Sequence, residues 1–158
     1  MPEVTHLTTT AVPDPDGRPI TLAMRALGIA ISQIGFKDAH IEKYMSIVGQ
    51  NKQPCDAAFV YWCVQKAADE MGVPHPLRAS ATPQVLLNDT PVQYRRTLPG
   101  TIPRKGDMFI IGSEAGDAST AGFITSIQFE NITTIEVLQG EVVRSTRPMR
   151  SITALIRL

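Results

Sequence analysis

Cys55 and Asp56 stand side by side at the head of Gln53-Pro54-Cys55-Asp56-Ala57-Ala58-Phe59-Val60-Tyr61-Trp62-Cys63, an apolar run whose spacing predicts a helix. A thiol at a helix start is biased towards thiolate by the unsatisfied backbone N–H groups and the helix dipole, so Cys55 is a candidate nucleophile. An Asp there accepts a backbone N–H as a cap, contributing about 1 kcal/mol relative to Ala, and Asp56 reads as such a cap. A thiolate also needs a base, and the chain offers three histidines: His6, His40 and His75. His6 falls in the N-terminal stretch, His40 on an early helix, and His75 in Val73-Pro74-His75-Pro76, past the end of the helix that Asp56 opens. That helix would be about 24 Å long at 1.5 Å per residue, so His75 is expected to be remote, and each histidine reads as a surface residue. Asp56 with Glu136 is conceivable as a glycosidase-like carboxyl pair, but nothing in the spacing joins them. Cys63 lies on the same helix face as Asp56, two turns deeper, and reads as a core thiol. Cys55 and Cys63 would stand about 12 Å apart, too far for a disulfide.

The elements that must hold these residues are legible from periodicity. From Thr21, Leu22, Ala26, Ile29, Ala30 and Ile34 recur at helical spacing and Gly35 supplies a stop. A second helix is predicted from Asp38 to Val48, with Ile41, Tyr44, Met45 and Val48 inward and Gly49 at its end. The third runs from Asp56 to Met71 with Gly72 after it, burying Phe59, Val60, Cys63, Val64 and Ala67. Thr82-Pro83 predicts a capped start to a short helix through Leu87. After about residue 91 the pattern becomes that of strands: Met108 to Ile111, Gly122 to Ile127, Ile132 to Leu138, Val142-Val143 and Ile152 to Leu158. Helices first and strands second predict an α+β domain with an antiparallel sheet over residues 21 to 158, preceded by an extended arm over residues 1 to 20.

Composition narrows the function classes. The 158 residues are 43% hydrophobic, enough for one sizeable core. Fifteen basic residues balance fifteen acidic ones, so no net field draws the chain to nucleic acid or to an anionic membrane. Arg95, Arg96, Arg144, Arg147 and Arg150 read as a solvated strand face. No Sec-type signal is visible at the start, and no apolar run reaches the roughly 20 residues of a membrane span. No metal cluster, phosphate loop or dinucleotide fingerprint stands out, so no cofactor is expected.

Pro54 with Ala57-Ala58-Phe59-Val60 and Trp62-Cys63, then Arg104-Lys105-Gly106-Asp107, Gly122-Phe123 and Gln139-Gly140, occur in that order along the chain. In this the chain resembles the CHAP (cysteine, histidine-dependent amidohydrolase/peptidase) family, most closely its compact bacterial and phage subgroup, over roughly Thr21 to Leu158. That subgroup reads like P-W-C-A-A-F-V-x-W-C, K-x-G-D, G-H-V-G-F and G-N-Q-G. The resemblance implies a papain-like fold with N-terminal helices on a C-terminal antiparallel sheet. It also implies amide cleavage in peptidoglycan by a Cys nucleophile, a His base and a polar residue that orients the His.

Aligned without gaps, the nucleophile position falls on Asp56, the base on Thr120 and the orienting residue on Leu138, while Cys55 takes the place of Trp. All three catalytic positions depart from the family, so the resemblance implies a pseudoenzyme. Its vestigial cleft would lie near Asp56, Thr120, Glu136 and Gln139. The expected role is a structural or binding part of a phage tail, baseplate or related cell-envelope-penetrating assembly. It would reside in the virion, or in the bacterial cytoplasm before assembly or release, with protein partners engaged through the arm. Two alternatives stay open: an active peptidoglycan amidase or endopeptidase using Cys55, and a module that binds peptidoglycan without cutting it. Neither nucleic acid nor membrane insertion is expected.

Overall fold

Thr21 opens the first helix, its side-chain oxygen accepting the N–H of Met24 at 3.2 Å, which satisfies one of the donors a helix start leaves bare. The computed structural model describes residues 20–37, 39–47, 56–80, 82–98, 100–112 and 119–158. Among them the helices are α1 (Leu22–Ser32), α2 (Ala39–Ile47), α3 (Asp56–Met71) and α4 (Pro83–Asp89). The strands are β1 (Arg95–Thr97), β2 (Met108–Gly112), β3 (Ser119–Gln128), β4 (Asn131–Leu138), β5 (Glu141–Pro148) and β6 (Ala154–Ile156). The arm up to residue 19, the expected cap Asp38, and Val48 and Gly49 lie outside the described residues.

The fold is α+β, with the helices first and an antiparallel sheet after them. The strands lie in the order β1-β6-β2-β3-β4-β5. α3 is the central helix, burying Ala57, Ala58, Phe59, Val60, Trp62, Cys63, Val64, Ala67 and Ala68, and it packs on α1, α2, β3 and β4. Aromatic edges lock that junction: Tyr44 meets Phe59 and Trp62 edge-on, each at 5.0 Å between ring centroids, and Phe59 meets Phe123 at 6.2 Å. The opposite sheet face buries Phe109, Ile124, Ile132, Ile152 and Leu155.

α4 begins as its residues predict, with Thr82 accepting the N–H of Val85 at 3.4 Å and Pro83 in the first turn. It runs two residues past Leu87, to Asp89. β5 extends to Pro148 although only Val142 along it is fully buried, because it is an edge strand that needs one apolar anchor. Gly35 N–H donates to Val142 O at 2.8 Å and Val142 N–H to Phe36 O at 3.0 Å, so the turn after α1 covers the start of that edge. The last strand is shorter than Ile152 to Leu158. It ends at Ile156; the next residue, Arg157, still donates its N–H to Tyr94 O at 2.8 Å, and its guanidinium pairs with Asp107.

Candidate functional site

The site forms where two strands part. β3 stays paired to β2 up to Ser119 and β4 to β5 down to Leu138, yet the β3–β4 ladder stops at Phe123 opposite Ile135. Beyond that pair, Thr120, Ala121 and Gly122 separate from Glu136, Val137 and Leu138. Gly122 permits the crossing: a Cβ there would lie 2.5 Å from Ile135 O and 2.8 Å from the Phe109 ring. The N-terminus of α3 is set against this split, and the Asp56 carboxylate accepts the backbone N–H of Ala121. Asp56 therefore ties helix to strand.

Burial and the charge of Glu136 raise the Asp56 carboxyl to about 7, against the opposing pull of the Ala121 N–H and the Arg147 guanidinium. Glu136 is fully buried. Arg147 Nε donates to its two oxygens at 2.8 and 3.1 Å, Arg147 Nη2 donates to Oε1, and Thr134 Oγ1 donates to Oε2 at 2.6 Å. This charged bond raises the guanidinium of Arg147 further. A glycosidase needs its second carboxylate free to meet substrate or water, and Glu136 is neither free nor exposed. The two carboxyls are brought together, but as one mobile proton beside one locked ion pair.

The remaining sequence candidates separate into those at the split and those away from it. Thr120 is half-buried on β3 and paired with Ile111. Ala121 and Phe123 belong to the core under the helices, whereas Ile124 belongs to the opposite face, so alternation sets Thr120 with Gly122 on that opposite face. The same alternation sets Glu136 and Leu138 there, between Ile135 and Val137 of the helix-side core. Leu138 is partly exposed at the end of β4, and Gln139 (φ 51°) and Gly140 (φ 78°) form the tight turn into β5. Cys55 and His6 lie outside the described residues, and His40 is on α2. Cys63 is buried, and burial drives its thiol well above the usual range.

His75 is not at the far end of α3. The segment after Gly72 folds back along the helix, stacking the His75 ring on Tyr61 at 4.0 Å with 17° between the planes. Its Nδ1 accepts the N–H of Leu77 at 3.0 Å, which leaves Nε2 as the protonated nitrogen facing Tyr61 O at 3.2 Å. Burial lowers its pKa and keeps it neutral. Both ring nitrogens are spent on backbone, so His75 is a clamp and not a base.

Arg147 is the site residue that the sequence reading assigned to solvent. The two-residue turn Gln139-Gly140 fixes the β4–β5 register, with Glu136 opposite Val143 and Ile132 opposite Arg147. The same face thus carries Glu136 and Arg147, and that register was the available signal. Asp107 of the Arg104-Lys105-Gly106-Asp107 stretch is structural. Its carboxylate accepts Arg157 Nε at 2.9 Å, Arg157 Nη2 at 2.8 Å and the N–H of Arg104 at 2.8 Å.

What fold and site define is an α+β protein whose central helix points its N-terminus at a split between two strands. Among the described residues that position carries the Asp56 carboxyl, the backbone N–H of Ala121 and the Glu136–Arg147 pair, without a paired nucleophile and base. No family model matches the chain, and no curated protein matches it. Among solved structures it is similar to Ly7917, with a TM-score of 0.56 and 12% identity over 87% of this chain. The match covers 62% of the Ly7917 chain. Ly7917 with the hydrolyzing product of MDP gives the same score and identity over 85% of this chain and 62% of that one. The Resuscitation Promoting Factor Interacting protein RipA mutated at C383 gives 0.49 and 14%, over 93% of this chain and 69% of that one. At 12% identity the likeness to Ly7917 is one of fold, and the chemistry rests on the residues.

Proposed function

We propose that this chain is a CHAP-like, papain-like domain that has lost amide cleavage and serves as a structural or binding component. The setting proposed is a phage tail, a baseplate or a related assembly that penetrates the cell envelope. The observation that carries the reading is Asp56: at the position of the nucleophile, a carboxyl raised to about 7 accepts the Ala121 N–H beside a Glu136 locked to Arg147. Such a group can exchange hydrogen bonds with a ligand, but it has neither the nucleophilicity nor the base that amide cleavage demands. The fold shared with Ly7917, a protein crystallised with the hydrolyzing product of MDP, supports a cell-wall ancestry for the scaffold.

Turbidity clearing and fragment analysis on purified peptidoglycan test the loss of cleavage. The reading expects no released fragments from the wild-type chain. Co-sedimentation with the same insoluble material separates the two inert roles: retention in the pellet identifies a module that holds peptidoglycan, and recovery in the supernatant identifies an assembly part. Deletion of residues 1 to 20 should then impair incorporation into the particle, and normal incorporation would remove the arm from the proposed contact.

A further inference from the structure

We propose that the chain associates with a second copy of itself through the end of the sheet that carries Phe129, at the turn of the β3–β4 hairpin whose other end forms the Asp56 split. Phe129 is 97% exposed and sits at φ 57° in the two-residue turn between β3 and β4. Gln128 pairs with Asn131 across that turn, and among its two central residues only Phe129 has a positive φ. This is the position where a hairpin turn favours glycine. A large aromatic held in left-handed backbone and in water combines two unfavourable choices, and an outlier of this kind points to a contact the isolated chain does not make.

Beside it lies a groove of about 520 Å³ lined by Leu98, Phe129, Glu130, Met149, Arg150 and Ile152. Its walls are joined before any partner arrives, since the Met149 N–H donates to Glu130 O at 2.6 Å. The apolar floor is flanked by an acid on the hairpin and a base on the turn after β5. Among the described residues neither Glu130 nor Arg150 takes part in an ion pair within the chain. A surface that offers one protruding aromatic, one apolar groove, one unpaired acid and one unpaired base is complementary to its own two-fold image. Each Phe129 enters the other protomer's groove, and each Glu130 faces the other's Arg150. That self-complementarity is why the occupant is a second copy.

Sedimentation velocity on the full chain over a micromolar range tests this. The wild type should show a concentration-dependent dimer. Phe129→Gly should weaken it by about 30-fold or more, as removal of a central anchor does, while melting at the same or a higher temperature, because glycine suits the turn. Glu130→Arg and Arg150→Glu should each weaken the dimer, and the double exchange should restore it. A Phe129→Gly chain that dimerises like the wild type, or a double exchange that restores nothing, would overturn the proposal. So would a monomeric wild type. If that monomer dimerised only after deletion of residues 1 to 19, the groove would belong to the chain's own N-terminal segment; if it stayed monomeric, to a different protein.

Discussion

Asp56 shows what a partly buried carboxyl does at a helix N-terminus. Burial and the charge of Glu136 outweigh the Ala121 N–H that its carboxyl accepts, so Asp56 holds its proton up to about pH 7. An acid whose folded pKa lies above its ordinary 3.8 contributes stability that is complete below pH ~4 and lost as pH rises through about 7. The melting temperature should therefore fall from pH 5 to pH 8, and Asp56→Asn, which keeps the Ala121 hydrogen bond without the charge, should flatten that slope. Equal slopes in the two proteins would remove Asp56 as the titrating group. Arg147 makes the opposite case, because it neutralises the fully buried Glu136. Arg147→Ala should cost about 3–5 kcal/mol in chemical denaturation by leaving that carboxylate unpaired, whereas Glu136→Leu with Arg147→Met should cost far less. A cost for the single change no larger than that of the pair would contradict the burial account.

The split between β3 and β4 depends on a glycine as much as on any polar group. Gly122 lets Ile135 O and the Phe109 ring come closer than any Cβ allows, one residue beyond the last rung of the β3–β4 ladder. Gly122→Ala should destabilise the chain by about 3 kcal/mol or more. Trimming the ring with Phe109→Leu should not rescue it, since the nearer obstacle is main chain; full rescue would show that the ring alone sets the limit. α1 and α3 were readable because each buries an apolar stripe, and Thr21, Gly72 and Thr82-Pro83 mark a start or stop of α1, α3 and α4. β1 and most of β5 were not, because Arg95-Arg96-Thr97 and Arg144-Ser145-Thr146-Arg147 lie at the two edges of the sheet and carry no apolar alternation. Of the candidate site, the sequence makes Asp56 legible as the residue that opens the central helix, but the Arg147–Glu136 bond needs the β4–β5 pairing, and the return of His75 to Tyr61 needs a loop path that periodicity does not encode.

At the scale of the whole molecule, the fold is shared with a solved structure and the chemistry rests on this chain's own residues. Helices on an antiparallel sheet, a central helix aimed at a strand split, and the structural Asp107–Arg157 pair make the scaffold, and at the split stands the Asp56 carboxyl beside Glu136 bonded to Arg147. Among the described residues this arrangement pairs no nucleophile with a base, which is the ground on which binding or assembly is proposed over turnover. The measurement that bears most directly on this is release of soluble fragments from purified peptidoglycan by the wild-type chain, alongside Cys55→Ser and Asp56→Ala. The account predicts no release above buffer from any of the three. Release by the wild type that Cys55→Ser abolishes and Asp56→Ala leaves intact would contradict it, and would make the chain an active hydrolase.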